Sequence, residues 1–461
     1  MSFGNADAAI IGLGKLGASM LAGMASRGLK VIGVDVSQKV VEAVNQGKAP
    51  VQETDLEITI QRHRKNLRAT TDYVEAISAT PVSFVIVPTP SDERGAFSLK
   101  YAAQCFDAIG SALKIKDGYH VVVLTSTVLP GSTRYGLLPI LEKASGKKCG
   151  KDFGLCYNPE FIALGSVIKN FLNPDFYLLG EYDTHSGDVL ASVHNRVSAN
   201  KAPIKRMSIE NAELAKIAVN SYVTLKISYA NMLADICDRI PCGNIDVVSD
   251  AIGTDSRIGR KYLSGGLGFG GPCFPRDNAA LAFFGEKLGA DISILRNNEA
   301  YNKSGSARIL EKLKDKIPLS GNVAVLGLAY KPFSHVVEES AGIFFCRALR
   351  DAGYNVSAYD PLAMTEAKKV LGNDYCFALS IEECIKDADI IFVSTPDPAF
   401  VNLQVKAPRG INREKIYIVD FWRCLNISAE ESVDIVYIPF GRCIETEAAE
   451  QSVSKLWGGG G

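Results

Sequence analysis

Short apolar runs that end in glycine- or proline-containing turns recur through the first part of the chain: "AAIIGLGKLG", "KVIGVD", "VSFVIVPTP" and "YHVVVLTSTV". Such runs are nearly continuous rather than alternating, as strands buried on both faces of a parallel sheet must be. After the first run, "ASMLAGMASRG" carries apolar residues at helical spacing and stops at Gly28, which reads as strand, tight turn, helix. From about residue 319 the rhythm returns in "NVAVLGLAYKP", "YNVSAYDP", "ADIIFVSTPD" and "KIYIVDFW", and even the TP-containing turn repeats, as TPSD and then TPDP. Between the halves, "SIENAELAKIAVNSYVTLKISYANMLADICDRI" keeps helical spacing with neither glycine nor proline from Ser208 to Ile240. One long helix fits it.

The first turn holds Gly12, Gly14 and Gly17, and the next strand ends in Asp35. A strand before these glycines, a helix after them and an acid about 20 residues on form the dinucleotide-binding fingerprint. Gly12 makes the turn, Gly14 lets a pyrophosphate approach, Gly17 lets the helix pack, and the helix N-terminus attracts phosphate. Asp35 accepts hydrogen bonds from a ribose and repels a 2′-phosphate, which favours NAD over NADP. The loops at the carboxyl ends of later strands make Thr89, Pro90, Ser126 and Thr127 candidates for lining the cofactor cleft, with Leu16 beside the glycines. In the second half Gly327 is followed by Leu328, Ala329, Tyr330 and Lys331, so the glycine fingerprint is missing there and a different ligand is expected, with Lys331 suited to a phosphate. The pattern predicts an α/β protein with two Rossmann-like parallel-sheet domains joined by a long central helix and a helical middle domain, divided as 1–203, 204–303 and 304–461.

Composition narrows the function. With 50 basic against 51 acidic residues, nothing argues for nucleic acid or an anionic membrane surface. Eleven cysteines without Cys-x-x-Cys pairs read as reduced thiols of a cytoplasmic protein, and five scattered histidines give no metal site. No signal segment or membrane-length apolar run occurs.

One stretch stands apart. "GGLGFGGPCFPRD", residues 265–277, sets Cys273 among five glycines and two prolines, an irregular loop that is an odd setting for a packing residue. On the central helix Glu213, Lys216 and Asn220 fall at i, i+3 and i+7, on one face. Such a stripe is normally a solvated side, and most cysteines are small buried hydrophobes.

Taken together, "GLGKLG", "GVDVSQKVVEAVNQGKAPVQETDL", "VPTPSDERGAF", "TSTVLPGS", "NPEF", "ELAKIAVNSY", "DSRIG", "GFGGPCFPRD" and "GLAYKP" resemble, in order, the motifs of the nucleotide-sugar 6-dehydrogenases, the UDP-glucose dehydrogenase family. The resemblance implies an N-terminal NAD domain, a C-terminal domain for the UDP part, and a homodimer formed through the central helix. It also implies oxidation of a UDP-sugar primary alcohol to a carboxylate with two NAD consumed. Within it Cys273 matches the nucleophile, which adds to the intermediate aldehyde and carries a thiohemiacetal and then a thioester. Lys216 and Asn220 match the residues that stabilise oxyanion charge, and Asp277 matches the acid that handles protons with Lys216. Thr127 matches the threonine beside the reacting carbon, and Glu160 the general base for thioester hydrolysis. For the sugar nucleotide it points to Phe161, Lys216, Asn220, Tyr262, Phe269, Gly270 and Lys331, to Arg257 delivered from the neighbouring subunit, and to Arg423 in the divergent "DFWRC".

The chain departs from the family pattern at Leu164, where a glutamate is usual, at Val40, where a basic residue is usual, and in "KPFSHVVEES", where Glu338 replaces an arginine. Weaker NAD binding or an altered cofactor pose is the expectation. UDP-glucose leads as substrate, with UDP-N-acetylhexosamines and GDP-mannose as alternatives. A non-catalytic UDP-sugar-binding homologue is the competing class, against which stands the presence of Cys273, Lys216, Asn220, Asp277, Glu160 and Thr127 together. An ordinary one-step alcohol dehydrogenase gives no reason for the cysteine.

Overall fold

The computed structural model describes residues 5–92, 95–162, 165–403, 405, 415–427 and 435–458. The chain forms two compact units, Met1–Val219 with Ala279–Leu288, and Asn220–Asn278 with Gly289–Gly461.

The first unit is built on one sheet of eight strands: β1 (Ala8–Ile11), β2 (Val31–Val34), β3 (Leu67–Thr70), β4 (Val82–Val85), β5 (Val121–Leu124), β6 (Gly154–Tyr157), β7 (Tyr177–Glu181) and β8 (Ile204–Ser208), in the order β3-β2-β1-β4-β5-β6-β7-β8. Pairing is parallel except between β6 and β7. The apolar runs are continuous because both faces are covered: β1 sends Ala8 and Ile10 into one core and Ala9 and Ile11 into the other. An antiparallel neighbour starts at the end where its partner finishes. The reversal of β7 therefore leaves residues 158–176, which begin with the "NPEF" segment, at the carboxyl end of β6.

The second unit carries a parallel sheet of six strands: β9 (Asn322–Leu326), β10 (Asn355–Tyr359), β11 (Cys376–Phe377), β12 (Ile390–Val393), β13 (Ile416–Asp420) and β14 (Ile435–Pro439), in the order β11-β10-β9-β12-β13-β14. Its β9 again splits its residues, Val323 and Val325 to one core, Ala324 and Leu326 to the other. Both sheets have the doubly wound order in which the first and fourth strands lie side by side.

The two units share a device at their first turn. Gly12 has φ +92°, and a Cβ on it would lie 2.1 Å from the Ile86 carbonyl oxygen; a Cβ on Gly17 would lie 1.8 Å from the Gly12 oxygen. In the second unit Gly327 has φ +94°, and a Cβ on Gly342 would lie 2.1 Å from the Gly327 oxygen. The fingerprint expected to be missing there is thus stretched rather than lost. Residues 328–341 stand between the turn glycine and the helix-packing glycine, which hides the spacing from a linear reading.

The long helix runs over Ile209–Cys237, beginning in the first unit and ending in the second, so the 204–303 segment is divided between them. Within the second unit this helix is inverted in polarity. Asn220, Thr224 and Asn231 share one side and make hydrogen bonds within the unit. Tyr222, Tyr229 and Ile236, seven residues apart and about half a turn round, are 60%, 53% and 45% exposed. Among the described residues no helix is long and apolar enough to cross a membrane.

Candidate active site

In the first unit the helix Lys15–Ser26 starts at Gly14, with no side-chain cap and no acidic residue in its first turn. Its unpaired N–H groups and positive end are available to an anion. A Cβ on Gly14 would meet nothing within 4 Å, whereas Gly12 and Gly17 are pressed against backbone oxygens. Gly14 is therefore the glycine that faces open space, as a pyrophosphate requires. Asp35 accepts the Leu13 N–H at 2.8 Å and the Ser37 N–H at 2.9 Å, one on each oxygen. Its counterpart in the second unit, Asp360, accepts four backbone N–H bonds, from Leu328, Ala329, Leu362 and Ala363, and is buried. A carboxylate offers about four lone pairs. Asp35 retains capacity for a ribose diol and Asp360 has none left. Beside Asp35, Val36 is 88% exposed, an apolar surface suited to cover by an adenosine.

The loops after β4 and β5 are tied together. The Ser126 hydroxyl donates to the Val87 oxygen and accepts from the Val87 N–H, and Thr89 Oγ1 donates to the Thr127 oxygen at 2.8 Å. Ser126 and Thr89 are buried, while Thr127 and Pro90 keep accessible surface. Glu213, 0% exposed, accepts the Gly131 and Thr133 N–H groups at 2.5 and 2.9 Å and so fixes the turn that follows Thr127. Its burial pushes its carboxyl up to about 7. The stripe beginning at Glu213 is not a solvated side.

Lys216 is 7% exposed; its Nζ donates to the Glu160 carbonyl oxygen at 2.7 Å and lies 4.4 Å from the centre of the Phe161 ring. The unit thus gathers Glu160, Phe161 and Lys216. Glu160 Oε1 is sealed from solvent without a hydrogen-bond donor, and burial, opposed by the Lys216 charge, pushes the carboxyl up to about 8. A carboxylate so placed is protonated at neutral pH and becomes a base only above it.

In the second unit Cys273 is exposed and immediately precedes the helix Phe274–Lys287, whose positive end favours an anion there. One turn on, Asp277 is 1% exposed. It accepts from Asn220 Nδ2 at 2.6 Å and pairs with Arg276 at 3.2 Å. Asn220, Cys273 and Asp277 are therefore brought together, with Arg276 as a partner the motif reading missed.

The glycines before Cys273 are filled from within the unit. A Cβ would lie 2.8 Å from the Trp422 ring at Gly266, 2.4 Å from Asn302 Oδ1 at Gly268, 2.2 Å from the Glu339 oxygen at Gly270 and 2.6 Å from the Tyr330 ring at Gly271. Here glycine serves protein packing, and Phe269 is buried with it. Tyr262 is 51% exposed at φ +66°, and Lys331 is partly exposed beside the Tyr330 ring. The Arg257 side chain is 86% exposed, held by Asp255, on a loop whose Ile258 and Gly259 oxygens accept from Lys226.

Arg423 corrects an expectation. Its side chain is 2% exposed and its five N–H donors are spent on Asp246 and on the carbonyls of Phe421, Phe440, Ser264 and Gly265. It braces the start of the cysteine loop and has no donor left for a substrate.

Three family models match in order: the NAD binding domain of the UDP-glucose/GDP-mannose dehydrogenase family over residues 6–198, its central domain over 210–304 and its UDP binding domain over 324–427. The chain belongs to the UDP-glucose/GDP-mannose dehydrogenase family. Among the relatives of this family member are the UDP-glucose 6-dehydrogenase AglM of Haloferax volcanii, 36% identical over 401 residues, 86% of this chain and 93% of that protein. The GDP-mannose 6-dehydrogenase of Pseudomonas putida is 34% identical over 430 residues, 89% and 95% of the two chains. The solved UDP-glucose dehydrogenase of Pyrobaculum islandicum superposes with a TM-score of 0.82 at 30% identity, covering 95% of this chain and 98% of that one.

Of the departures from the family pattern, Leu164 lies outside the described residues. Val40 packs against the first unit's core. Glu338 has an exposed side chain, and its carbonyl oxygen accepts the Gly271 N–H at 2.9 Å, beside the cysteine loop.

The contrast among the turn glycines is testable. Gly14→Ala meets no atom of the chain, so the thermal midpoint should hold while NAD affinity falls about tenfold, a loss of about 1.4 kcal/mol. Gly17→Ala should instead destabilise the fold by about 1–3 kcal/mol. Melting curves with an NAD titration check both; equal effects of the two variants on stability would contradict the assignment.

Proposed function

We propose that the protein is an NAD-dependent UDP-glucose 6-dehydrogenase that converts the C6 alcohol to a carboxylate, giving UDP-glucuronate. The observation that carries this is Cys273, an exposed thiol at the head of a helix, with the buried Asp277 one turn on and hydrogen-bonded to Asn220. UDP-glucose as substrate is supported by the names of the Haloferax and Pyrobaculum relatives. GDP-mannose is the alternative, since the Pseudomonas relative is nearly as similar.

The cofactor loop fits NAD by its open Gly14, its uncapped helix end and the spare lone pairs of Asp35. Gly12, Gly14, Leu16, Gly17 and Asp35 would hold it, with Thr89, Pro90, Ser126 and Thr127 along the strand ends. Bound NAD supplies the hydride acceptor for each of the two oxidations. Lys216 and Asn220 stabilise the alkoxide of the first and the oxyanions that follow. Asp277 accepts the alcohol proton by way of water. The Cys273 thiolate adds to the aldehyde carbon, forming a C–S bond and an oxyanion; oxidation of that thiohemiacetal leaves the thioester. Glu160, deprotonated, takes a proton from the water that attacks the thioester, and Cys273 departs as thiolate. Thr127 borders the reacting carbon. Phe161, Tyr262, Phe269, Gly270 and Lys331 form the sugar-nucleotide contacts.

The exposed face of Tyr222, Tyr229 and Ile236 is the surface a second copy of the chain covers, and Arg257 extends from the neighbouring loop toward that copy's site.

Three outcomes are expected. A panel of UDP- and GDP-sugars should show two NADH per UDP-glucose oxidised, and Cys273→Ser should stop acid formation; one NADH, or none, would remove the reading. Because Glu160 deprotonates only near pH 8, the rate limited by hydrolysis should climb as pH rises through about 8, and Glu160→Gln should abolish the climb. Light scattering should give a dimer that Tyr229→Glu turns into a monomer with lost activity; a monomeric wild type would end the dimer proposal.

A further inference from the structure

No regular secondary structure runs from Ser264 to Cys273, so the loop's backbone groups must find partners elsewhere: Gly271 donates to the Glu338 carbonyl, and Ser264 and Gly265 accept from Arg423. Two asparagines serve the stretch between. Asn302, on the helix Ser293–Leu313, accepts the Phe269 N–H at 2.9 Å and donates to the Phe269 oxygen at 2.9 Å, a two-point clasp of the kind one strand makes with another. Asn231, on the central helix, accepts the Gly266 N–H at 2.8 Å and donates to the Leu267 oxygen at 3.1 Å. An amide offers a donor and an acceptor side by side without charge at any ordinary pH. Gly268 completes the fit, because any Cβ there would stand 2.4 Å from Asn302 Oδ1.

We propose that Asn302, with Asn231 as its second, is a positioning residue that holds the backbone ahead of Cys273 in a single path and thereby sets the reactivity of the thiol. For its kinetic consequence this rests on Cys273 being the nucleophile of the proposed function. Asn302 touches Phe269, four residues before the sulfur, and acts through the loop. An aspartate at 302 would keep the acceptor but turn a carboxylate oxygen against the buried Phe269 carbonyl. A methyl at 268 would push the amide away. Both changes release the same clasp from opposite sides.

The test uses the full chain, wild type and the Asn302→Asp and Gly268→Ala variants. In the wild type the Gly266 and Phe269 amides should exchange with deuterium as slowly as sheet amides. In both variants exchange over 266–271 should quicken at least about tenfold. Alkylation of Cys273 by iodoacetamide should change several-fold, while that of the exposed Cys376 stays constant. The kcat should fall about tenfold to a hundredfold, the size of effect that a misplacement of about 1 Å produces, and KM should rise with it because Phe269 and Gly270 loosen with the loop. A wild-type Phe269 amide that exchanges like an open loop would overturn the proposal. So would unchanged Cys273 alkylation in the variants, or a kcat loss that merely follows the unfolded fraction. Should no nucleotide sugar yield NADH with the wild type, the proposed function fails, and exchange and alkylation still decide whether the clasp exists.

Discussion

A backbone oxygen standing where a side chain's first carbon would be is the contact on which this molecule depends. It occurs where the Gly12 oxygen faces Gly17, where the Gly327 oxygen faces Gly342 and where the Glu339 oxygen faces Gly270. The first two bring a helix down onto its sheet at the leading turn of each unit. The third seats the loop that carries Cys273. In every case the approach is open only to glycine, because a Cβ at about 2 Å from an oxygen has no relaxed alternative while the backbone stays in place.

Around that scaffold, carboxylates divide by how fully they are satisfied. Asp360 is saturated by four backbone N–H groups and holds its turn shut. Asp35 is half satisfied and can still receive a ligand. Glu213 spends its charge on the turn after Thr127, whereas Glu160 has an oxygen that nothing reaches. A buried polar atom left without a partner is costly, about 1–3 kcal/mol. Its presence beside Lys216 supports the hydrolytic role proposed for Glu160.

The central helix shows how tertiary context reverses a familiar rule. Asn220, Thr224 and Asn231 turn inward because the segments they meet are loops and helix ends with backbone and amide groups to satisfy. The tyrosines and Ile236 are left outside. Periodicity alone detects the helix in either case, since both faces repeat at the same spacing, but it cannot tell which face is covered. Expecting Arg423 at a substrate failed because a charged residue's partners lie far away in sequence, and for the same reason the spacing of Glu213 on the helix gave no sign of its burial.

The order of elements, the two doubly wound halves, the nucleotide turn at Gly12 to Gly17 and the singular setting of Cys273 were all legible in the linear pattern, because each depends on neighbours within about 20 residues. The stretched glycine pair of the second unit, the reversal of β7, the saturation of Asp360 and the amide clasp on Phe269 were decided by the fold. They join residues from distant parts of each unit, and an asparagine on a helix carries no local sign of the backbone it will meet.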